Sequence, residues 1–167
     1  MKLLLLRHAI AEEQEAFART GKDDRLRPLT DEGRKKMKQG ARGLRKVLPE
    51  IDLLATSPLA RAAQTAAIVD SVYGGLSEVE IEELSPEATP TDFLRWLRKQ
   101  KAETIAAVGH EPSISLILSW LLTGSERRIF SFRKAGACLV EFTGEVGGGT
   151  ATLLWALTPG QLRDLAG

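Results

Sequence analysis

Leu3-Leu4-Leu5-Leu6 is an unbroken apolar run that ends on Arg7-His8. Consecutive strand residues point to opposite faces, so a run of this kind describes a central strand, Lys2 to Leu6, covered on both sides. Two reactive side chains then stand at its carboxyl end. Ile51 to Ala55 and Thr104 to Val108 are further buried strands, the second ending at Gly109-His110.

The segments between these runs read as helices. Thr30 caps the first, with Asp31 and Glu32 at the positive end of the helix dipole. Met37, Ala41, Leu44 and Val47 then repeat at helical spacing, Lys35, Lys36, Lys38, Arg42 and Arg45 lie on the outer side, and Pro49 stops the helix. Thr56-Ser57-Pro58 turns the chain into a second helix, with Pro58 near its start, carrying Ala62, Ala63, Ala66, Ala67, Ile68 and Val72 as far as Gly74-Gly75. Val79 to Leu84 alternates and is expected as a shorter, more exposed strand. Thr91 is placed as the cap of a helix with Phe93, Leu94 and Leu97, and Pro112-Ser113 opens another that closes near Gly124. Ala137 to Phe142 and Thr150 to Leu157, separated by the glycine-rich Gly144 to Gly149, are expected to form a hairpin. Trp96, Trp120 and Trp155 fall within apolar periodicity and are expected in the core. The polar segment Ala11 to Pro28 is expected as a partly mobile loop with one helical turn, long enough to carry function.

Strands alternating with helices define an α/β fold of three layers, α/β/α, with a mainly parallel central sheet and an antiparallel C-terminal hairpin. With 167 residues, 43% hydrophobic and 27% charged, residues 1–167 are expected to form one domain. The lone Cys138 makes neither an internal disulfide nor a zinc site and suits a reducing compartment. Lys and Arg total 23 against 22 for Asp and Glu, which argues against a nucleic-acid partner. The first apolar run is too short for a signal peptide or a membrane span, so no membrane association and a cytoplasmic location are expected.

Ligands of open parallel sheets collect beyond the carboxyl ends of the strands. His8, His110 and Arg7 all fall there, and Arg61 lies in the first turns of the helix after the second strand. Singly, each has an ordinary reading as a hydrogen-bonded or solvated side chain. Their convergence describes an anion site for a phosphate or carboxylate.

At these residues the sequence resembles a known family. Leu6-Arg7-His8-Ala9, Pro28-Leu29-Thr30-Asp31-Glu32-Gly33, Thr56-Ser57-Pro58-Leu59-Ala60-Arg61-Ala62-Ala63-Gln64-Thr65 and Val108-Gly109-His110-Glu111-Pro112 are similar to the ordered motifs of the histidine phosphatase superfamily. They span positions 6 to 112, about two-thirds of the chain. The direct run Arg27-Pro28-Leu29-Thr30 and Glu83-Leu84-Ser85-Pro86 resemble the SixA-type protein-phosphohistidine phosphatases, as does Ala9, where many superfamily members carry glycine. The resemblance implies a phosphoglycerate mutase-like fold, with His8 as a transiently phosphorylated nucleophile and no metal or other cofactor. Arg7 and Arg61 would clamp the phosphoryl oxygens, and His110 would add a third donor. Glu83 stands where relatives that cleave alcohol phosphates carry a general acid, with Glu12, Asp23 and Asp24 as other candidates for that role. Arg27 is a candidate substrate ligand. Ser57 either touches phosphate, orients an imidazole or caps its own helix. The implied substrate is a phosphohistidine-containing protein and the product inorganic phosphate. A small-molecule phosphomonoesterase is the alternative, and a non-catalytic phospho-ligand module a third reading.

Overall fold

The computed structural model describes all residues from Met1 to Gly167. Strand β1 (Lys2–Arg7) is central, and the sheet order is β3-β2-β4-β1-β5-β6, where β2 is Leu53–Thr56, β3 Glu78–Glu80, β4 Thr104–Gly109, β5 Ala137–Glu141 and β6 Thr152–Leu157. The first four strands in that order pair in parallel; β5 runs antiparallel to β1 and β6 antiparallel to β5. This mixed six-stranded sheet with helices on both sides is the expected α/β/α arrangement.

The leucine run behaves as a strand with two buried faces must. Leu4 and Leu6 pack under α2 (Asp31–Val47), α3 (Ala60–Tyr73) and α6 (Pro159–Leu165), with Met37, Ala41, Leu44, Ala62, Ala66, Val69 and Leu162. Leu3 and Leu5 pack on the other face against α4 (Pro90–Leu97) and α5 (Ser113–Thr123), with Phe93, Leu97, Ile114, Ile117 and Leu121. All four leucines are sealed from solvent, and burial of each stabilises the fold by about 1.5–3 kcal/mol.

The helix signals hold in part. Thr30 Oγ1 accepts from the Gly33 amide at 2.9 Å, as expected for an N-cap, and Gly74 ends α3 in the left-handed conformation, φ 95°. Glycine is required at position 33 for a different reason. A Cβ there would stand 2.1 Å from the Ile10 carbonyl oxygen, so its absence lets the start of α2 sit directly on the chain that follows His8.

Several expectations need correction. The strand expected over Val79 to Leu84 is confined to Glu78–Glu80, and Glu82–Leu84 forms a 3-10 turn that tucks Leu84 into the core. The cap of α4 is Thr89, not Thr91, because Pro90 supplies the fixed φ of a first helical residue and Thr89 Oγ1 accepts from the Asp92 amide. Helix α3 begins at Ala60 with Leu59 as its N-cap, so Pro58 lies outside it. Ala11 to Pro28 is more ordered than a loop: it contains α1 (Gln14–Ala18) and a 3-10 turn at Asp24–Leu26, and a bridge from Ala11 to Leu29 closes its base. Trp96, Trp120 and Trp155 are half-buried against the core margins. Helix α6 was not among the expected elements; Thr158 and Gln161 cap it reciprocally. No helix is long and apolar enough to cross a membrane.

Candidate active site

Register assembles the site. Leu6 stands opposite Val108 and Arg7 opposite Gly109, while the His8 amide donates to the Gly109 carbonyl at 3.0 Å and the Ser57 amide to the Val108 carbonyl at 3.1 Å. The carboxyl ends of β1, β2 and β4 are thereby level, and the residues that follow them share one pocket. The His8 and His110 rings are 5.0 Å apart between centroids and tilted by 51°. The pocket has a volume of about 440 Å³, with a lining that includes Arg7, His8, Arg27, Arg61, His110 and Lys134 and no hydrophobic side chain.

His8 is 6% exposed. Its Nδ1 lies 2.7 Å from the Ala9 carbonyl oxygen, an atom that can only accept, so Nδ1 carries the proton and Nε2 the free electron pair. Burial, reinforced by the charges of Arg61, Arg7 and Lys134, drives the His8 pKa down to about 3. The ring is neutral at physiological pH. His110, 2% exposed, is pushed down to about 2 by burial and then by His8 and the arginines. Its Nε2 is 2.9 Å from Ser57 Oγ, whereas its Nδ1 is buried without a partner. Ser57 Oγ also accepts from the Leu59 amide at 3.3 Å. Its hydroxyl proton is free to be donated to His110 Nε2, and with that donation the imidazole proton would sit on Nδ1.

Both guanidinium groups are anchored and still incompletely engaged. Arg7 donates from one terminal nitrogen to the Phe132 carbonyl at 2.6 Å, and Arg61 donates to the Asp24 carbonyl at 3.1 Å and pairs with its carboxylate at 3.2 Å. In each, Nε is buried and unpartnered. Arg27 is held by the Asp24 carboxylate at 2.7 Å and the Glu12 carbonyl at 2.8 Å, in the wall of the pocket. Arg27 and Arg61 hold the Asp24 carboxyl below its usual range, so Asp24 is ionised.

The structure thus brings together Arg7, His8, Arg27, Arg61 and His110. Ser57 is sealed beneath them and reaches His110, not the open pocket, and the cap of α3 is Leu59. Of the carboxylates considered as proton donors, Glu12 and Asp24 line the pocket, whereas Glu83 and Asp23 do not. Glu83 sits in the 3-10 turn whose neighbour Glu82 accepts from Arg25 at 2.9 Å. Two contributors escaped the sequence reading. Thr65 Oγ1 accepts from the Ala9 amide at 3.0 Å and donates to the Arg61 carbonyl at 2.7 Å, tying the chain after the nucleophile candidate to α3. Glu111 Oε1 accepts from the Phe132 amide at 2.7 Å, securing the carbonyl to which Arg7 donates. Glu13 and Glu87 also line the pocket. Only proximity to His8 and His110 in three dimensions distinguishes such residues from other surface glutamates.

A mixed sheet that gathers two neutral imidazoles and two guanidinium groups at its carboxyl edge defines an α/β protein with a pocket suited to an anion. The sequence model of the histidine phosphatase superfamily (branch 1) matches residues 3–87, and the chain belongs to that superfamily. It is 30% identical to an uncharacterised protein of Picosynechococcus sp. strain PCC 7002 over 139 residues, covering 81% of this chain and 82% of the relative. It is also 25% identical over 170 residues to the phosphohistidine phosphatase SixA of Escherichia coli strain K12, covering 98% and 97%. Among solved structures, the protein histidine phosphatase SixA complexed with tungstate superposes with a TM-score of 0.82 at 23% identity, covering 97% of this chain and 99% of that one. The fold is that of the SixA structure, and the family is the histidine phosphatase superfamily.

Proposed function

We propose that this protein is a phosphohistidine phosphatase, which removes the phosphoryl group from a histidine of a protein substrate by two displacements on His8. The observation that carries this reading is the fixed tautomer of His8, with Nδ1–H donated to the Ala9 carbonyl and a neutral Nε2 left as nucleophile. In the first displacement Nε2 bonds to phosphorus while the phosphorus–nitrogen bond of the substrate breaks. A leaving imidazole that is protonated on its other nitrogen takes back the electron pair and departs neutral. In the second, a water oxygen bonds to phosphorus, the bond to Nε2 breaks, and phosphate leaves as the water proton passes to solvent or to the product. Because Nδ1 keeps its proton throughout, His8 also returns neutral.

Arg7 and Arg61 hold the phosphoryl oxygens and offset the charge that builds on them, with His110 Nδ1–H as a further donor. These groups supply the electrostatics without a metal. Phosphohistidine suits the proton inventory, because neither displacement needs a carboxylic acid, and Asp24 is held in its acceptor form by Arg27 and Arg61. A metabolite ester would need a proton for its alkoxide leaving group. The test is rapid quenching of turnover with a histidine-phosphorylated protein, followed by mass spectrometry under alkaline conditions. A phosphoryl adduct on His8, absent in His8→Ala, is expected, with rates unaffected by a chelator. Full turnover by His8→Ala would overturn the assignment, and faster turnover of sugar phosphates than of phosphohistidine would favour the metabolite reading.

A further inference from the structure

The pocket has two tiers of opposite sign. Its floor holds the rings of His8 and His110 and the side chain of Arg61, at 6%, 2% and 5% exposure. There His110 Nδ1 and the Nε atoms of Arg7 and Arg61 are buried donors or acceptors without hydrogen-bond partners. The mouth is different. Glu12 and Glu13, from the connection after β1, and Glu87, from the connection after β3, are exposed and line the same pocket. None of the three takes part in an ion pair, and none accepts a hydrogen bond on its carboxylate. The field of Glu87 is felt by Arg61.

The other charges of the lining lie deeper or are engaged. Asp24 is paired with Arg27 and Arg61, Arg27 is closed on Asp24, and the half-buried Glu111 accepts from the Ser115 hydroxyl and the Phe132 amide on Oε1 while its Oε2 is buried without a partner. A phosphoryl group seated on the floor uses the free valence of Arg7 and Arg61. Three carboxylates then remain at the rim against the single ammonium of Lys134. An additional carboxylate or phosphate on the substrate meets repulsion there, whereas a cation beside the phosphoryl group meets three open acceptors.

We propose that Glu12, Glu13 and Glu87 form a specificity collar that selects phosphohistidines flanked by lysine or arginine side chains. This rests on the phosphohistidine reading and adds the charge of the substrate segment. The collar acts before and during docking, on substrate capture, while the floor performs the displacement. Exposed pairs are individually weak, and three together shift kcat/KM by about tenfold at low ionic strength.

The experiment uses pairs of synthetic peptides, phosphorylated on their single histidine with potassium phosphoramidate, with flanks of either Lys and Arg or Asp and Glu. For the wild type, kcat/KM is expected to be about tenfold higher on the basic peptide in 20 mM salt and to converge on that for the acidic peptide in 500 mM salt, through an effect on KM. The double variant Glu13→Lys with Glu87→Lys is expected to invert the preference; thermal unfolding of this variant verifies that it is folded. Equal rates on the two peptides, with both dephosphorylated, would overturn the collar and leave the phosphohistidine reading standing. A basic preference that the folded double variant retains would remove the assignment to these glutamates. If neither peptide is dephosphorylated while a phosphomonoester metabolite is, the phosphohistidine reading itself fails.

Discussion

At the scale of single residues, the chemistry of this pocket depends on where two protons sit. The carbonyl of Ala9 fixes one, on His8 Nδ1, and the hydroxyl of Ser57, as donor to His110 Nε2, would hold the other on His110 Nδ1. Removing the Ser57 hydroxyl leaves His110 Nε2 without its donor and frees the ring to change tautomer. Ser57→Ala is therefore expected to lower kcat by about tenfold, the value of one hydrogen bond of about 1.4 kcal/mol, with a smaller effect on KM. Nitrogen-15 chemical shifts of His110 should report the mixed tautomer, a change that a purely structural role for Ser57 would not produce. The identities of Arg7, His8, Arg61 and His110 were legible in the chain because each follows a recognisable strand end or opens a helix. The roles of Ser57, Thr65 and Glu111 were not, since each acts through a contact between segments distant in sequence. Glu83 is the counterpart: its place in the motif order resembles an acid, yet the 3-10 turn at Glu82–Leu84 leaves it out of the pocket lining.

At the scale of elements, helix α2 shows how packing divides residues of one type. Gly40 and Gly43 are both buried in that helix, one turn apart. A Cβ at Gly40 meets only Leu162 Cβ at 3.9 Å, ordinary contact, whereas at Gly43 it stands 1.8 Å from the Leu162 carbonyl oxygen on α6. Gly40→Ala is expected to stabilise the protein by about 0.5–1 kcal/mol through helix propensity and reduced freedom of the unfolded chain. Gly43→Ala should destabilise it by about 2–3 kcal/mol, because backbone has to move to relieve the overlap. Chemical denaturation of the two variants measures both signs. Strands and helices with long periodic runs were read correctly from sequence. The short ones were not: β3 is only three residues long, and α6 is a helix whose Thr158-Pro159-Gly160-Gln161 start carries a capping signal beyond the last expected strand. Short elements have too few residues for periodicity to outweigh local turn chemistry.

At the scale of the whole molecule, the two buried histidines tie the stability of the fold to the state of its pocket. Each has a pKa lowered from 6.5, to about 3 for His8 and about 2 for His110, so the unfolded chain takes up protons before the folded one does. Their contribution is complete above pH 6.5 and is lost as the pH falls from there toward 3, with a slope of up to about 1.4 kcal/mol per pH unit for each ring. Urea unfolding between pH 7 and pH 5 should show this loss, and His8→Ala should flatten it by about half. The protein carrying both His8→Ala and His110→Ala should lose stability in this range only through its other groups. A wild type equally stable at both pH values would contradict the burial of neutral rings. The order of motifs, the doubly buried strand and the α/β layering follow from local pattern, because apolar periodicity and strand-end residues are properties of contiguous sequence. The sign of the pocket mouth, the contact between Ser57 and His110 and the exclusion of Glu83 come from the folded chain, because each depends on register and packing that join residues tens of positions apart.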